Sequence, residues 1–176
     1  MMTSPCDLPR LTSDAEAEQA QSAASWRVCL LTMGGELFAV DLREVREVFE
    51  VDSITPVPGM PPALVGVANI RGVIVPLADL RLSLGAPLSS ELRYAIVVRH
   101  GSHSVGLLVD DVPEIRTIAP EDILESPGPR VAGGRSFLSG LVRVENRVSG
   151  MLEIPTLLAS VEEATAKVTI QGSHES

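Results

Sequence analysis

From Trp26 onward, apolar positions fall in short runs punctuated by Gly, Asn, Asp and Ser, a strand-like pattern. The first run covers residues 26–33. Gly34-Gly35 follows, a hairpin signal because both central positions of a type I′ turn require positive φ. Residues 36–42 form the expected return strand. Further strands are expected over 65–70, 73–77, 94–100, 104–109, 112–118, 137–145 and 147–154, with turns at Arg71-Gly72, Gly101-Ser102 and Glu145-Asn146. Many short, regularly punctuated strands indicate small barrels or a sandwich. Helical pattern is scarce: short pieces over 79–84 and 120–124, and a last one from Pro155 to about Lys167, where proline is acceptable at the first helical position.

Residues 1–25 carry few large apolar groups and read as a flexible N-terminal tail; 14–24 has no apolar stripe for a helix to bury. Residues 161–176 read as a polar C-terminal tail. Between them, 26–160 form one module of two lobes, about 26–90 and 91–160, whose ends are open to exchange. An internal repeat supports two lobes. "FAVDLREVREV" (Phe38 to Val48) lies over "VGLLVDDVPEI" (Val105 to Ile115), matching Val45 to Val112, Glu47 to Glu114 and Val48 to Ile115 at a spacing of 67. Gly66 then matches Gly140 at 74, and Val75 matches Leu152 at 77, a spacing that grows as loop insertions would make it grow. The competing explanation is chance likeness between β sequences. Lobes this small bury little surface alone, so a shared interface is expected.

Composition narrows the function. Aromatic residues are 3% of the chain, so the core must be built from Val, Leu and Ile. The net charge of −9 argues against nucleic acid and anionic membrane surfaces. The two cysteines, Cys6 in the tail and Cys29 in a strand, do not suggest a disulfide and suit a reducing cytoplasm. No signal-peptide pattern opens the chain, and no apolar run approaches the ~20 residues of a membrane helix.

Catalytic constellations are largely missing. His100 and His103 flank a turn, but no third or fourth metal ligand accompanies them. Asp110-Asp111 read as solvated turn carboxylates, because adjacent strand residues point to opposite faces. No phosphate-binding glycine loop occurs; "SPGPRVAGGR" (126–135) reads as a mobile loop or a partner contact. What remains is binding surface: strand edges and apolar grooves that accept another protein. Within "GVANIRGVIVPLADL" (66–80), Arg71 stands out as a charge at a turn amid apolar residues, and Pro76 suggests a bent or edge strand.

The ordered set "GGELFAVDLREVREV", "ITPVP", "GVANIRGVIVPLADLR", "VGLLVDDVPEI" and "FLSGLV" resembles the CheW-like chemotaxis coupling family, over roughly residues 26–158. The resemblance implies an all-β fold with short helices: two small five-stranded SH3-like barrels packed together, with a short C-terminal helix. It implies a non-catalytic adaptor without cofactor or metal. Its partners would be the regulatory domain of the histidine kinase CheA and the cytoplasmic tip of methyl-accepting chemoreceptors, with kinase and adaptor barrels alternating in arrays. Carried over by position, Glu47 and Arg71 form a charged pair beside the partner surface, and Gly72 supplies the turn's positive φ. Leu42, Val45 and Val48 face the receptor's helical hairpin, at least two of them exposed, and Val112 serves the same groove from the second lobe. "MLEIPTLL" departs from the family's usual ending at Glu153 and Pro155. The alternatives are a CheW-like scaffold of a non-flagellar pathway, such as one serving a type IV pilus, without kinase activation, or a small-ligand-binding barrel using the His100/His103 turn.

Overall fold

The computed structural model describes residues 25–124 and 137–171. Eleven strands are present among them: β1 (Trp26–Met33), β2 (Glu36–Asp41), β3 (Val45–Glu50), β4 (Leu64–Ile70), β5 (Val73–Ala78), β6 (Tyr94–His100), β7 (His103–Val109), β8 (Glu114–Ile118), β9 (Ile123–Leu124), β10 (Leu138–Val144) and β11 (Arg147–Leu152). The helices are α1 (Arg81–Leu84) and α2 (Ile154–Gln171). Cys6, the 126–135 loop and His174 lie outside the described residues.

The strands form two sheets, ordered β8-β1-β2-β11-β10-β9 and β3-β6-β7-β5-β4. The sheets do not follow a cut near residue 90, because β1 and β2 join β8 to β11 while β3 to β7 stay together. The first sheet counts six strands rather than five because the segment after β7 is broken by a 3-10 turn (Pro120–Asp122) into β8 and β9. That turn and β9 occupy the place where a helix is expected.

The strand registers repeat. Glu47 on β3 faces Val97 of β6, and Glu114 on β8 faces Leu30 of β1, both pairs shifted by the same 67 positions. The β4–β5 hairpin recurs as β10–β11 at an offset of 74: Ile70 faces Val73 as Val144 faces Arg147, and the register break between Leu64 and Gly66 recurs between Leu138 and Gly140. The parallel junction repeats too, Leu77 with Gly106 and Met151 with Ala39. The offset therefore stays at 74 through the hairpin, and the counterpart of Val75 is Ser149, not Leu152. Even the closing contacts correspond: Thr55 bridges Val67, and Leu124 pairs with Leu141.

Burial explains why β1, β2, β6 and β7 read as near-continuous apolar runs. On β1, Cys29, Leu31 and Met33 enter a shared core with Ile96, Val98 and Leu107, while Val28 and Leu30 point into their own sheet's cluster with Ala39, Val142 and Met151. These strands are buried on both faces. The second sheet holds its own cluster around Ile70, Val75, Leu77 and Val97. Burial pushes the Cys29 thiol up to about 11, so it is a neutral core group at neutral pH.

Helix α2 starts at Ile154 and runs to Gln171, longer than expected and into the segment assigned to a polar tail. Ile154, Leu157 and Leu158 follow helical spacing and are buried in the shared core. The helix expected over 79–84 shrinks to α1, because Asp79 turns its carboxylate onto the backbone N–H and guanidinium of Arg81. Strand β5 is interior in its sheet, not an edge; Pro76 is tolerated because the ladder to β7 begins beyond it, at Leu77.

The two sheets are pinned by a polar contact. Asp110, buried at the end of β7, accepts hydrogen bonds from the backbone N–H of Gly34 (3.1 Å) and Gly35 (2.8 Å) and from Ser90 Oγ (2.6 Å). Its own N–H donates to Thr32 O at 2.8 Å. The expectation of a solvated turn carboxylate is wrong for Asp110, because the neighbouring β1–β2 turn covers it; Asp111 is exposed.

Candidate partner-binding site

Strands β3 and β4 are the two edges of the second sheet, and they approach each other around one groove. At one end the sheet is stitched by reciprocal hydrogen bonds of 2.9 Å between Thr55 and Val67. Gly66 permits that approach, since a Cβ there would lie 2.4 Å from Thr55 O. Beyond the stitch the edges part and leave a groove of about 360 Å³ lined by Glu47, Val48, Glu50, Asn69, Ile70 and Arg71, among others.

Strand β3 was not expected. A register shift between Val45 and Glu47 makes Arg46 an extra residue against β6. Such a bulge leaves Arg46 without a partner and bends the strand locally, while burial still alternates along β3, with Val45, Glu47 and Phe49 more buried than Arg46, Val48 and Glu50. Glu47 is turned to the groove, half-buried, with Val48 exposed beside it.

Arg71 sits at the tip of the β4–β5 turn with φ 51° and Gly72 with φ 85°, so both central positions are left-handed. A non-glycine residue held there costs about 1 kcal/mol. Asn69 Oδ1 accepts the Gly72 N–H at 2.9 Å and braces the turn. From this position Arg71 Nε lies 3.7 Å from Glu47 Oε2, with the two side chains 86% and 34% exposed. A pair this open contributes only ~0–1 kcal/mol to stability. Its charges are placed but remain accessible.

The structure gathers Glu47, Val48, Arg71 and Gly72 at one place. Leu42 and Val45 are half-buried and pack against the shared core, so the expectation that at least two of Leu42, Val45 and Val48 are exposed fails; only Val48 is, at 40%. Leu42 opens the 3-10 turn Leu42–Glu44 and Val45 starts β3, and both side chains pack on the shared core between the sheets. Val112 is 59% exposed and lies before β8, outside this groove. Val73 and Ile74, directly after the turn, are also exposed. Their strand pattern alone does not mark them, but their place two and three positions after Arg71 does.

Other charged groups serve the frame. Asp41, nearly buried, accepts Trp26 Nε1–H at 2.8 Å and Arg43 Nη2–H at 2.6 Å. Burial pushes its carboxyl up, but the bonds from Arg43 and Trp26 outweigh this and hold it below the ordinary value. Asp79 is likewise held low: burial pushes it up, and Arg81 more than offsets that. His100 Nδ1 lies 3.5 Å from Glu44 and His103 Nε2 lies 2.6 Å from Glu162, so each faces a separate acid. Among the described residues no group of three or more His, Cys, Asp or Glu side chains is arranged to hold a metal. No helix among them is long and apolar enough to cross a membrane.

These features define a class of protein: an all-β module of two packed, repeated sheets, whose distinctive surface is a charged groove between strand edges. The comparisons agree. The CheW-like domain family model matches residues 27–162. The chain is 33% identical over 137 residues to chemotaxis protein CheW of Klebsiella aerogenes, covering 77% of this chain and 82% of that one. It is 33% identical over 138 residues to protein PilI of Pseudomonas aeruginosa, covering 77% of each. The crystal structure of the scaffolding protein TtCheW from Thermoanaerobacter tengcongensis matches with a TM-score of 0.64 at 28% identity, over 72% of this chain and 88% of that one. The chain belongs to the CheW-like domain family.

Proposed function

We propose that this protein is a non-catalytic adaptor. It couples the cytoplasmic tip of methyl-accepting chemoreceptors to the regulatory domain of the histidine kinase CheA, and works in the cytoplasm at receptor arrays through those partners. The observation that carries the reading is the Glu47–Arg71 pair, which spans a groove between two open strand edges in a chain of this family. Val48 supplies an exposed apolar contact in the groove, while Leu42 and Val45 pack on the shared core at the start of the same strand. Gly72 shapes the turn that presents Arg71, and Val112 offers apolar surface beside the first sheet.

Co-sedimentation of the purified chain with a CheA regulatory domain and a receptor-tip fragment tests this. Binding to both is expected, and binding to neither ends the proposal.

A second reading, a scaffold of a non-flagellar sensory pathway without kinase activation, is favoured by one observation. The identity to PilI, 33%, is the same figure as that to the Klebsiella aerogenes CheW, although the latter match covers more of its relative, 82% against 77%. Stimulation of kinase autophosphorylation in a reconstituted mixture supports the coupling role; binding without stimulation supports the second reading.

A further inference from the structure

His100 and His103 are the last Cα partners of the β6–β7 hairpin. Strand residues directly opposite each other share a face, with Cβ atoms about 4.5–5.5 Å apart. Val98 and Val105, the pair two positions inward on that face, belong to the shared core. The two rings therefore stand side by side at the rim of the core. Helix α2 packs on β6 and β7 there, and the 3-10 turn Leu42–Glu44 packs on β6.

Each ring is held by an acid from a different element. His100 Nδ1 lies 3.5 Å from Glu44 Oε1, in the 3-10 turn, and His103 Nε2 lies 2.6 Å from Glu162 Oε1, on α2. An ionised carboxylate only accepts, so the nitrogen that faces it carries the proton. In a neutral imidazole the other nitrogen, Nε2 of His100 and Nδ1 of His103, then holds a lone pair. Both side chains are more than half exposed, which leaves room for an ion and its water beside them. A metal-binding histidine characteristically donates its second N–H to a carboxylate, which fixes the tautomer and the ring orientation. Two such histidine–carboxylate units stand here at facing positions of one hairpin.

We propose that His100 Nε2 and His103 Nδ1 together bind a divalent transition ion, Cu²⁺ or Zn²⁺, with water completing its coordination. Glu44 and Glu162 are positioning residues rather than ligands, in keeping with the lack of a three-ligand cluster among the described residues. Imidazole nitrogen selects such ions over Mg²⁺ and Ca²⁺, which take oxygen, and Cu²⁺ is held more tightly than Zn²⁺. A filled site ties helix α2 and the turn that leads into β3 to the same hairpin. Binding to the folded chain alone raises its stability. The proposal stands apart from kinase and receptor binding.

Titration of the untagged full chain with Cu²⁺, followed by electron paramagnetic resonance, tests it, with circular dichroism confirming that each variant is folded. Wild type is expected to take up one equivalent, to show nitrogen splitting from two imidazoles, and to melt at a higher temperature with Cu²⁺ or Zn²⁺. His100→Gln and His103→Gln each lose the two-nitrogen spectrum and the thermal shift. His174→Gln, a change outside the described residues, leaves both as they are. Glu44→Ala and Glu162→Ala keep the two-nitrogen spectrum but bind about ten-fold or more weakly, the usual effect of removing an orienting carboxylate. No uptake by wild type, a two-nitrogen spectrum that survives either His100→Gln or His103→Gln, or one that is lost in His174→Gln overturns the proposal. Unchanged affinity in both acid variants, or a spectrum lost in either, overturns the positioning role of the acids.

Discussion

The carboxylate of Asp110 accepts the backbone N–H of Gly34 across the junction of the two sheets, at 3.1 Å, with the N–H of Gly35 and the hydroxyl of Ser90 on the same group. Asp110→Ala removes the shared acceptor of three donors at a half-buried site, where water reaches the exposed Gly35 N–H. The expected destabilisation is about 1–3 kcal/mol, the loss of hydrogen bonds to a charged group. It should be read as a lower urea midpoint with unchanged slope. A midpoint equal to wild type would mean that water replaces these bonds without loss.

The two glycines of that turn should respond unequally. Both have positive φ, 63° at Gly34 and 79° at Gly35. A Cβ on Gly35 meets nothing within 4 Å, whereas one on Gly34 would lie 2.2 Å from Pro87 O. Gly35→Ala is expected to cost about 1 kcal/mol, the backbone penalty alone. Gly34→Ala must also displace backbone and is expected to cost several times that. Equal melting temperatures for the two variants would show that the Pro87 segment yields freely.

What the sequence disclosed follows from where local chemistry was decisive. The β1–β2 hairpin was legible because Gly34-Gly35 admits little else, and the all-β class because apolar runs alternate with turn residues. The family likeness placed Glu47 and Arg71 near each other. Strand β3 was hidden because a charged residue, Glu47, takes one of its more buried positions and an apolar one, Val48, an exposed position. Asp110 looked solvated because the group that covers it is 76 positions away in the chain. Chain order left the exchange of ends between the lobes open for a related reason: β1 and β2 pair with strands from the far end, and hydrophobic pattern carries no information on which strand a strand will meet. The exposure of Leu42 was misjudged because a single 3-10 turn decides whether it faces the core or solvent.

The Glu47–Arg71 pair makes a divided prediction. Arg71→Ala should change stability by no more than ~1 kcal/mol, because the pair is exposed and screened. Binding to a receptor tip or kinase regulatory domain should nevertheless weaken, as the cation is placed at the groove. In a double-mutant cycle, Glu47→Lys with Arg71→Glu should recover part of the affinity lost by either change alone. Thermal melts and titrations on the same samples separate the two effects. A large drop in melting temperature with affinity retained in the folded fraction would make Arg71 a structural residue.

Acid stability should be set by Asp41, Asp79 and Glu44 acting in opposite directions. Asp41 and Asp79 are held below the ordinary aspartate value in the folded state: burial raises each, and the bonds from Arg43 and Trp26, or from Arg81, lower it further. The unfolded chain binds protons at these groups first, near pH 3.9. Their contribution is therefore complete above that value and lost as pH falls through it toward the folded pKa. Glu44 is raised, by burial first and by the nearby Asp41 charge, with His100 opposing. Its ionisation costs stability, so protonating it on the way down returns a little before the aspartates begin to fail. A melting-temperature profile should thus rise slightly between neutral pH and the carboxylate range, then fall steeply. Glu44→Gln should remove the rise, and Asp41→Asn or Asp79→Asn should flatten the fall while lowering stability at neutral pH. An acid limb of unchanged steepness in both aspartate variants would place the acid sensitivity in other carboxylates.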